Sequence, residues 1–371
     1  MITGILKEIK VAENRVSMTP AGVEAMVSRG HTLLVEKNAG IGSGFENGAY
    51  EAAGAEIVST PEEIYRRSEM VMHVKEPQPV EYPLIREDQI VFTYLHLAAE
   101  EQLTKALIER KSVNIAYETI QKADGTLPLL TPMSEVAGRM ATQEGAKYLE
   151  MTHGGRGVLL GGVPGVEPGT VIVIGGGVVG INAARMACGL GAKVYLLDTS
   201  LERLRYLSEV MPANCFPVMS SVPALRQLLP EADLVIGAVL IPGGQAPKLI
   251  SRDMLPLMKQ GAVLVDVAID QGGCFETSKP TTHTEPTYMV DGIVHYCVAN
   301  MPGAVAKTSA LALTNATLPY AIEIANKGWK QACRENPEIR LGANVVSGHV
   351  TYDRVAEAFG LPYKEISSLL S

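Results

Sequence analysis

The sequence predicts an α/β protein of two Rossmann-like domains, each built on a parallel sheet and separated by a cleft, with C-terminal helices completing the first. Three observations predict it. Short apolar runs alternate with helical stretches along most of the chain, the pattern of parallel strands covered on both faces. At 371 residues the chain is too long for one ordinary core. A glycine-rich turn that normally opens a dinucleotide-binding domain, "TVIVIGGGVVG" from Thr170, stands in mid-chain, so a second domain's worth of residues precedes it.

The elements follow in order. "ITGIL" is a strand, and Thr19-Pro20 starts a helix, a capping hydroxyl before a proline at the first helical position. "AGVEAMVSR" continues that helix to Gly30, and "HTLLVE" is the next strand. Ser59-Thr60-Pro61 starts a second helix, followed by the strand "MVMHV" from Met70, with His73 inside it. "QIVFTYL" from Gln89 is an apolar strand, "AEEQLTKALIER" a helix and "SVNIAYE" a strand. A helix runs from Pro132 to about Lys147, and "HGGRGVLLGGVPGVEPG" is a loop, too rich in glycine for a helix. Then come strand "TVIVI", helix "VGINAARMACGLG", strand "KVYLLD", and strands "ADLVIGAV" and "GAVLVDVAID", each of the last two after a helical stretch. "IVHYCVAN" closes the set, and the chain after Pro302 reads as mostly helical. The expected division is residues 131–305 as the dinucleotide domain, and 1–130 with 306–371 as the substrate domain.

The bulk numbers narrow the class. Hydrophobic residues make up 47% and charged residues 19%, which suits a packed globular protein. The net charge is −8 with no Lys/Arg block, which argues against a nucleic-acid partner. "MITGILKEIKVAENR" has lysines and a glutamate where a signal peptide needs an apolar core, and the long apolar stretch from Thr170 carries Asn182, Arg185 and Lys193, so no membrane span is expected. Five scattered cysteines without a CxxC pair fit buried thiols in a reducing cytoplasm, and no H-x-x-x-H spacing asks for a metal.

Gly175, Gly177 and Gly180 satisfy G-x-G-x-x-G: the first for the tight turn, the second for approach of a pyrophosphate, the third for close packing of helix on strand. Phosphates then sit on a helix N-terminus. Asp198 ends the following strand near the expected spacing of about 20 residues. It accepts ribose hydroxyls and repels a 2′-phosphate, favouring NAD, while the neighbouring Arg203 and Arg205 leave NADP as the alternative. Ligands of such sheets bind beyond the carboxyl ends of strands. There the sequence puts Arg15, in the loop after the first strand, Lys75, directly after "MVMHV", and His96, directly after "VFTYL". Arginine and lysine together suit a small carboxylate, and histidine exchanges protons near neutral pH. Asp270 ends "AVLVDVAID" and is the candidate to share proton traffic with His96, while Asp266, inside that strand, reads as structural. Asn300 and Met301 reach a similar strand end and line the nicotinamide pocket in this reading.

Long stretches carry a further signal: "KEIKVAENRVSMTPAGV", "HVKEP", "YLHLA", "MSEVAGRMA", "GGRGVLLGGVPGV", "VIGGGVVG" and "VDVAIDQGGCFETSKPTTHTEPTY" closely resemble the bacterial alanine dehydrogenases, of the family they share with NAD(P) transhydrogenase alpha subunits. The resemblance covers nearly the whole chain. It implies reversible NAD-dependent oxidative deamination of L-alanine to pyruvate and ammonia, a cytoplasmic enzyme, and a homo-oligomer, commonly a hexamer. Arg15 and Lys75 then bind the substrate carboxylate, and His96 and Asp270 do acid–base work. The cofactor residues implied are Ser134, the glycines with Val178 and Val179, Asp198, Arg203, Ser220, Val239, Leu240, Val267, Ala268, Ile269, Asp270, Lys279, and Val298, Ala299, Asn300 and Met301. Some relatives hold magnesium with the counterpart of Glu118 and a histidine on a late helix; this chain has Lys327 there, and no metal is assigned. The rival readings are the NAD(H)-binding component of a proton-translocating transhydrogenase, an amino-acid dehydrogenase of the saccharopine-forming kind, and a non-enzymatic NAD-sensing module.

Overall fold

The computed structural model of the protein describes residues 1–239 and 246–370. The chain first lays down strands β1 (Ile2–Ile5), β2 (Thr32–Glu36), β3 (Glu56–Val58), β4 (Met70–Met72), β5 (Ile90–Thr93) and β6 (Val113–Ala116). Helices α1 (Pro20–Val27), α2 (Asn47–Ala52), α3 (Pro61–Arg67) and α4 (Glu101–Arg110) lie among them, and α5 (Thr131–Tyr148) follows. Next come β7 (Thr170–Ile174), β8 (Lys193–Asp198), β9 (Cys215–Met219), β10 (Leu234–Gly237), β11 (Val263–Asp266), β12 (Thr287–Val290) and β13 (Ile293–Tyr296), with α6 (Val178–Gly189), α7 (Leu201–Val210) and α8 (Val222–Leu228). The last part holds α9 (Ala306–Glu335), α10 (Pro337–Gly342), β14 (Ala343–Val346), β15 (His349–Val350) and α11 (Asp353–Phe359). Two units result: Met1–Met133 with the chain from Gly303 onward, and Ser134–Pro302.

In the first unit the sheet order is β15-β14-β6-β5-β4-β1-β2-β3. Its parallel strands run 3-2-1-4-5-6, the dinucleotide-fold order. Every residue of β4, β5 and β6 is buried, which is why these strands are largely apolar, with Thr93 and Asn114 the polar exceptions. Thr60 caps α3, its hydroxyl accepting from the Glu63 N–H at 3.4 Å. Thr19 begins α1 without a side-chain cap; its own N–H donates to the Thr314 hydroxyl of α9 at 3.1 Å. That helix ends at Val27, short of Gly30.

The C-terminal part brings strands as well as helices to the first unit: β14 adds antiparallel to β6, and β15 pairs back on β14. Four residues, "ANVV", are too few to show a period, and tertiary pairing decides them. The buried Asn114 side chain donates to the Val345 carbonyl at 3.0 Å and secures that edge.

The second unit has the order β12-β13-β11-β10-β7-β8-β9. Its parallel strands repeat 3-2-1-4-5-6, and β12 lies antiparallel on β13, an edge strand the sequence reading lacks. Among the described residues of the crossover into β11 the helical segment is 3₁₀, Arg252–Leu257, with Pro256 inside it denying an N–H to any continuing turn. The glycine loop before β7 is anchored by the buried Asp233. Its carboxylate accepts the Thr170 N–H at 2.8 Å and forms ion pairs with Arg156 and Lys259. All five cysteines are buried free thiols.

Candidate active-site residues of the two units

In the first unit β4 stops at Met72 and β5 at Thr93, so Lys75 and His96 do not directly follow their strands. Each sits beyond a short turn, and His73 lies in that turn rather than inside a strand. Past each strand end, two backbone amides are taken by a side-chain carboxylate: Val74 and Lys75 by Glu8, Leu95 and His96 by Glu118. At His96 the backbone is left-handed (φ 50°), a conformation that costs a non-glycine residue about 1–3 kcal/mol and persists only where its surroundings impose it. Glu118 imposes it, accepting the His96 N–H at 2.6 Å and the Leu95 N–H at 3.2 Å. The imidazole is exposed and stacks parallel on the Tyr94 ring (5.9 Å, 7°). Tyr94 packs edge-on against Tyr117 (5.1 Å), which packs edge-on against Phe92 (4.5 Å). Each such aromatic pair adds about 0.5–1.5 kcal/mol beyond its burial. A buried aromatic stack thus presents a solvent-facing imidazole at the sheet's carboxyl edge. Glu118 is occupied with this turn, and Lys327 pairs with Glu323 and Glu335 at 2.8 Å each.

Arg15 is 2% exposed, far from an ordinary surface charge. Glu13 grips it in a fork: Nε donates to Oε1 at 2.6 Å and Nη2 to Oε2, while Nη1 faces the Met133 sulfur at 3.1 Å. Burial works against the Arg15 charge, and the Glu13 carboxylate more than offsets it, raising its pKa. The two-point Glu13 fork fixes the orientation of the planar guanidinium.

Behind Lys75 lies a buried polar cluster that the sequence reading did not find. His73 is 2% exposed; its Nδ1 lies 3.2 Å from Glu8, and its Nε2 lies 3.0 Å from the Tyr65 hydroxyl and 3.5 Å from Glu81. Burial alone lowers a histidine pKa, but the Glu81 and Glu8 carboxylates, with Glu36 behind them, push this one up to about 9. A raised folded-state pKa contributes stability that is fully present below the unfolded value near 6.5 and is lost as pH rises through about 9. We expect unfolding free energy to fall by roughly 3 kcal/mol from this group over that window. His73→Gln should flatten the slope in chemical denaturation; an unchanged slope refutes the assignment.

In the second unit, the fingerprint glycines differ in what surrounds them. Gly175 has φ 105°, and a Cβ there would meet the Ala238 carbonyl at 2.6 Å. A Cβ on Gly180 would lie 1.7 Å from the Gly175 carbonyl oxygen. A Cβ on Gly177 meets nothing within 4 Å. Two glycines therefore shape the turn, and the third leaves open space at the N-terminus of α6, where a phosphate needs it. Asp198, half-buried at the end of β8, accepts the Gly176 N–H on one oxygen and the Ser200 N–H on the other, both at 2.8 Å. Each oxygen keeps a lone pair for a ribose hydroxyl. Arg203 donates from Nε to the Gly176 carbonyl at 2.6 Å, bracing the same turn. These residues fit a dinucleotide.

The other candidates cluster by topology. Ser220 follows β9, Val239 follows β10, Val267–Asp270 follow β11, and Val298–Met301 follow β13, all at the carboxyl edge of one sheet. Leu240 lies outside the described residues. Val178 and Val179 open α6, Ser134 sits on α5, and Lys279 is exposed with its ammonium over the Tyr288 ring at 4.4 Å. Asp266 is the last residue of β11, fully buried, and accepts the N–H groups of Ala268 (3.0 Å), Cys274 (2.9 Å) and Phe275 (3.3 Å). It therefore shapes the loop on whose 3₁₀ turn Asp270 stands exposed.

Two sheets of dinucleotide-fold order, one with a complete glycine fingerprint and strand-end carboxylate, define the class of Rossmann-type oxidoreductases. The comparisons narrow it. The family model "Alanine dehydrogenase/PNT, N-terminal domain" matches residues 4–137 and "Alanine dehydrogenase/PNT, C-terminal domain" matches 141–353. The alanine dehydrogenases of Methanococcus maripaludis and Halomonas elongata are 55% and 56% identical to this chain, each over all of both chains. A solved L-alanine dehydrogenase superposes with TM-score 0.94 at 49% identity, covering 97% of this chain and 99% of that one. The chain belongs to the alanine dehydrogenase/PNT family. A transhydrogenase from Sinorhizobium meliloti shares the fold, with TM-score 0.82 at 23% identity, covering 95% of this chain and 99% of that one.

Proposed function

We infer that this chain is an NAD-dependent L-alanine dehydrogenase. The observation that carries the reading is end-to-end identity above one half with proteins of that name. The reaction balances as L-alanine, NAD⁺ and water giving pyruvate, ammonium, NADH and a proton. Bound NAD⁺ supplies the hydride acceptor. Arg15 and Lys75 hold the substrate carboxylate, the first through its planar guanidinium, the second as a point charge. His96 and Asp270 move the protons, with the exposed His96 imidazole taking one from the attacking water as it adds to the carbon that loses hydride. Gly177, the α6 N-terminus and Asp198 hold pyrophosphate and ribose. Among the described residues no helix is long and apolar enough to cross a membrane. The same reading makes the protein a cytoplasmic homohexamer, which light scattering on purified protein reads for its assembly.

The test is NADH absorbance on mixing purified protein with NAD⁺ and L-alanine, with L-lysine, 2-hydroxy acids and a second nucleotide as controls. Activity with L-alanine alone is the expected outcome. Hydride passing to the second nucleotide without alanine is the outcome of the transhydrogenase reading. Asp198→Ser should weaken NAD⁺ by about 10-fold or more, the scale of a lost charged hydrogen bond, and NADP⁺ much less. Equal loss for both removes Asp198 from the ribose.

A further inference from the structure

We propose that Glu8 is the positioning residue of the candidate substrate lysine, clamping the turn that carries Lys75 away from β4; this rests on the reading of Lys75 as a carboxylate ligand. Past the end of β4 at Met72 the His73 N–H still reaches the Phe92 carbonyl at 3.4 Å, but the two amides after it need acceptors from elsewhere. Glu8, from the loop after β1, provides both: Oε1 accepts the Val74 N–H at 2.7 Å, and Oε2 accepts the Lys75 N–H at 3.2 Å. On the other side, the Thr93 hydroxyl at the end of β5 donates to the Lys75 carbonyl at 3.0 Å. The Lys75 backbone is therefore tied at its N–H and at its carbonyl to the ends of two neighbouring strands.

A backbone acceptor would satisfy these amides as well as a carboxylate does. A carboxylate here is buried, and a buried charge needs a partner. His73 provides it against Oε1, and is itself backed by Tyr65 and Glu81, whose Oε2 accepts the Gln78 N–H at 2.7 Å. The whole assembly converges on one short turn. A lysine stem has four rotatable carbons, so its ammonium is only as well placed as its backbone. A looser ammonium grips the substrate carboxylate less tightly in ground state and transition state alike, a loss read in KM rather than in turnover.

Steady-state kinetics of Glu8→Gln test the clamp. The amide keeps the size and one acceptor oxygen, but turns an NH₂ donor toward one of the two backbone N–H groups. KM for L-alanine and for pyruvate should rise about 10-fold or more. The turnover number should stay within about threefold and NADH affinity should not move, because Glu8 touches neither proton transfer nor cofactor. In a Lys75→Arg background the same change should add less than about twofold, since a residue that acts through Lys75 cannot act twice. Equal KM increases in both backgrounds, or an unchanged KM in Glu8→Gln, overturn the proposal. Glu8→Asp keeps the charge beside His73 and draws the carboxylate back from the two amides, so it serves if loss of charge unfolds the protein; it should show the same KM pattern, and wild-type KM in that variant also overturns the clamp. If the wild-type protein forms no NADH with L-alanine, the functional reading falls, and hydrogen exchange decides the clamp separately. Faster exchange at Val74 and Lys75 in Glu8→Gln supports it, and unchanged exchange refutes it.

Discussion

His96→Ala removes turnover of L-alanine by about 10²–10⁴-fold and leaves NADH affinity within about twofold, the signature of a lost acid–base group rather than a lost binding group. The structure makes this separation sharp. The His96 imidazole is exposed, and its one ring neighbour among the aromatic contacts is Tyr94, so its removal opens no buried cavity. The turn itself is set by Glu118 on the backbone N–H, which alanine retains. The left-handed backbone is borne by histidine and alanine alike, so stability should change by no more than about 1 kcal/mol, the scale of the lost stacking on Tyr94. Stopped-flow NADH formation and fluorescence titration of NADH measure the two halves. Normal turnover in this variant removes His96 from the chemistry.

The second large effect contrasts two glycines three residues apart. Gly180→Ala puts a methyl 1.7 Å from the Gly175 carbonyl oxygen, and the neighbour is backbone, which has no rotamer to yield. Overpacking of this kind costs about 3 kcal/mol or more, because β7 and α6 must separate. Gly177→Ala meets nothing within 4 Å and has an ordinary φ of −72°, so the protein folds with stability within about 0.5 kcal/mol of wild type. Its methyl nonetheless stands where a pyrophosphate would approach, and NADH affinity should drop about 10-fold or more. Denaturant unfolding and NADH titration on both variants check the pair. If Gly177→Ala binds NADH normally, the phosphate does not lie over that turn.

Much of the candidate site was legible for a local reason. Strand–turn–helix patterns are written in adjacent residues, and a glycine fingerprint is a statement about one tight turn, so Gly175, Gly177, Gly180 and Asp198 take the places their spacing implies. The neighbours that govern Arg15, Lys75 and His96 were not legible. Glu13, Glu8 and Glu118 are carboxylates in polar or short segments, and a buried glutamate on a backbone amide has the same local pattern as a solvated one. Glu118 lies far along the chain from the turn it holds, and Glu8 meets Lys75 only because β1 and β4 are adjacent in the sheet.

What the amino-acid order determined by itself is the alternation of buried strands and covering helices, the place of the dinucleotide turn, and the family, because each is carried by short-range periodicity or by long contiguous motifs. What only the tertiary structure decided is the antiparallel strands β12, β14 and β15, and the charge partners that hold the candidate side chains. The physical reason is common to both: a strand of four residues or a single carboxylate has no period of its own, and its state is set by the backbone groups that distant chain segments bring within hydrogen-bonding reach.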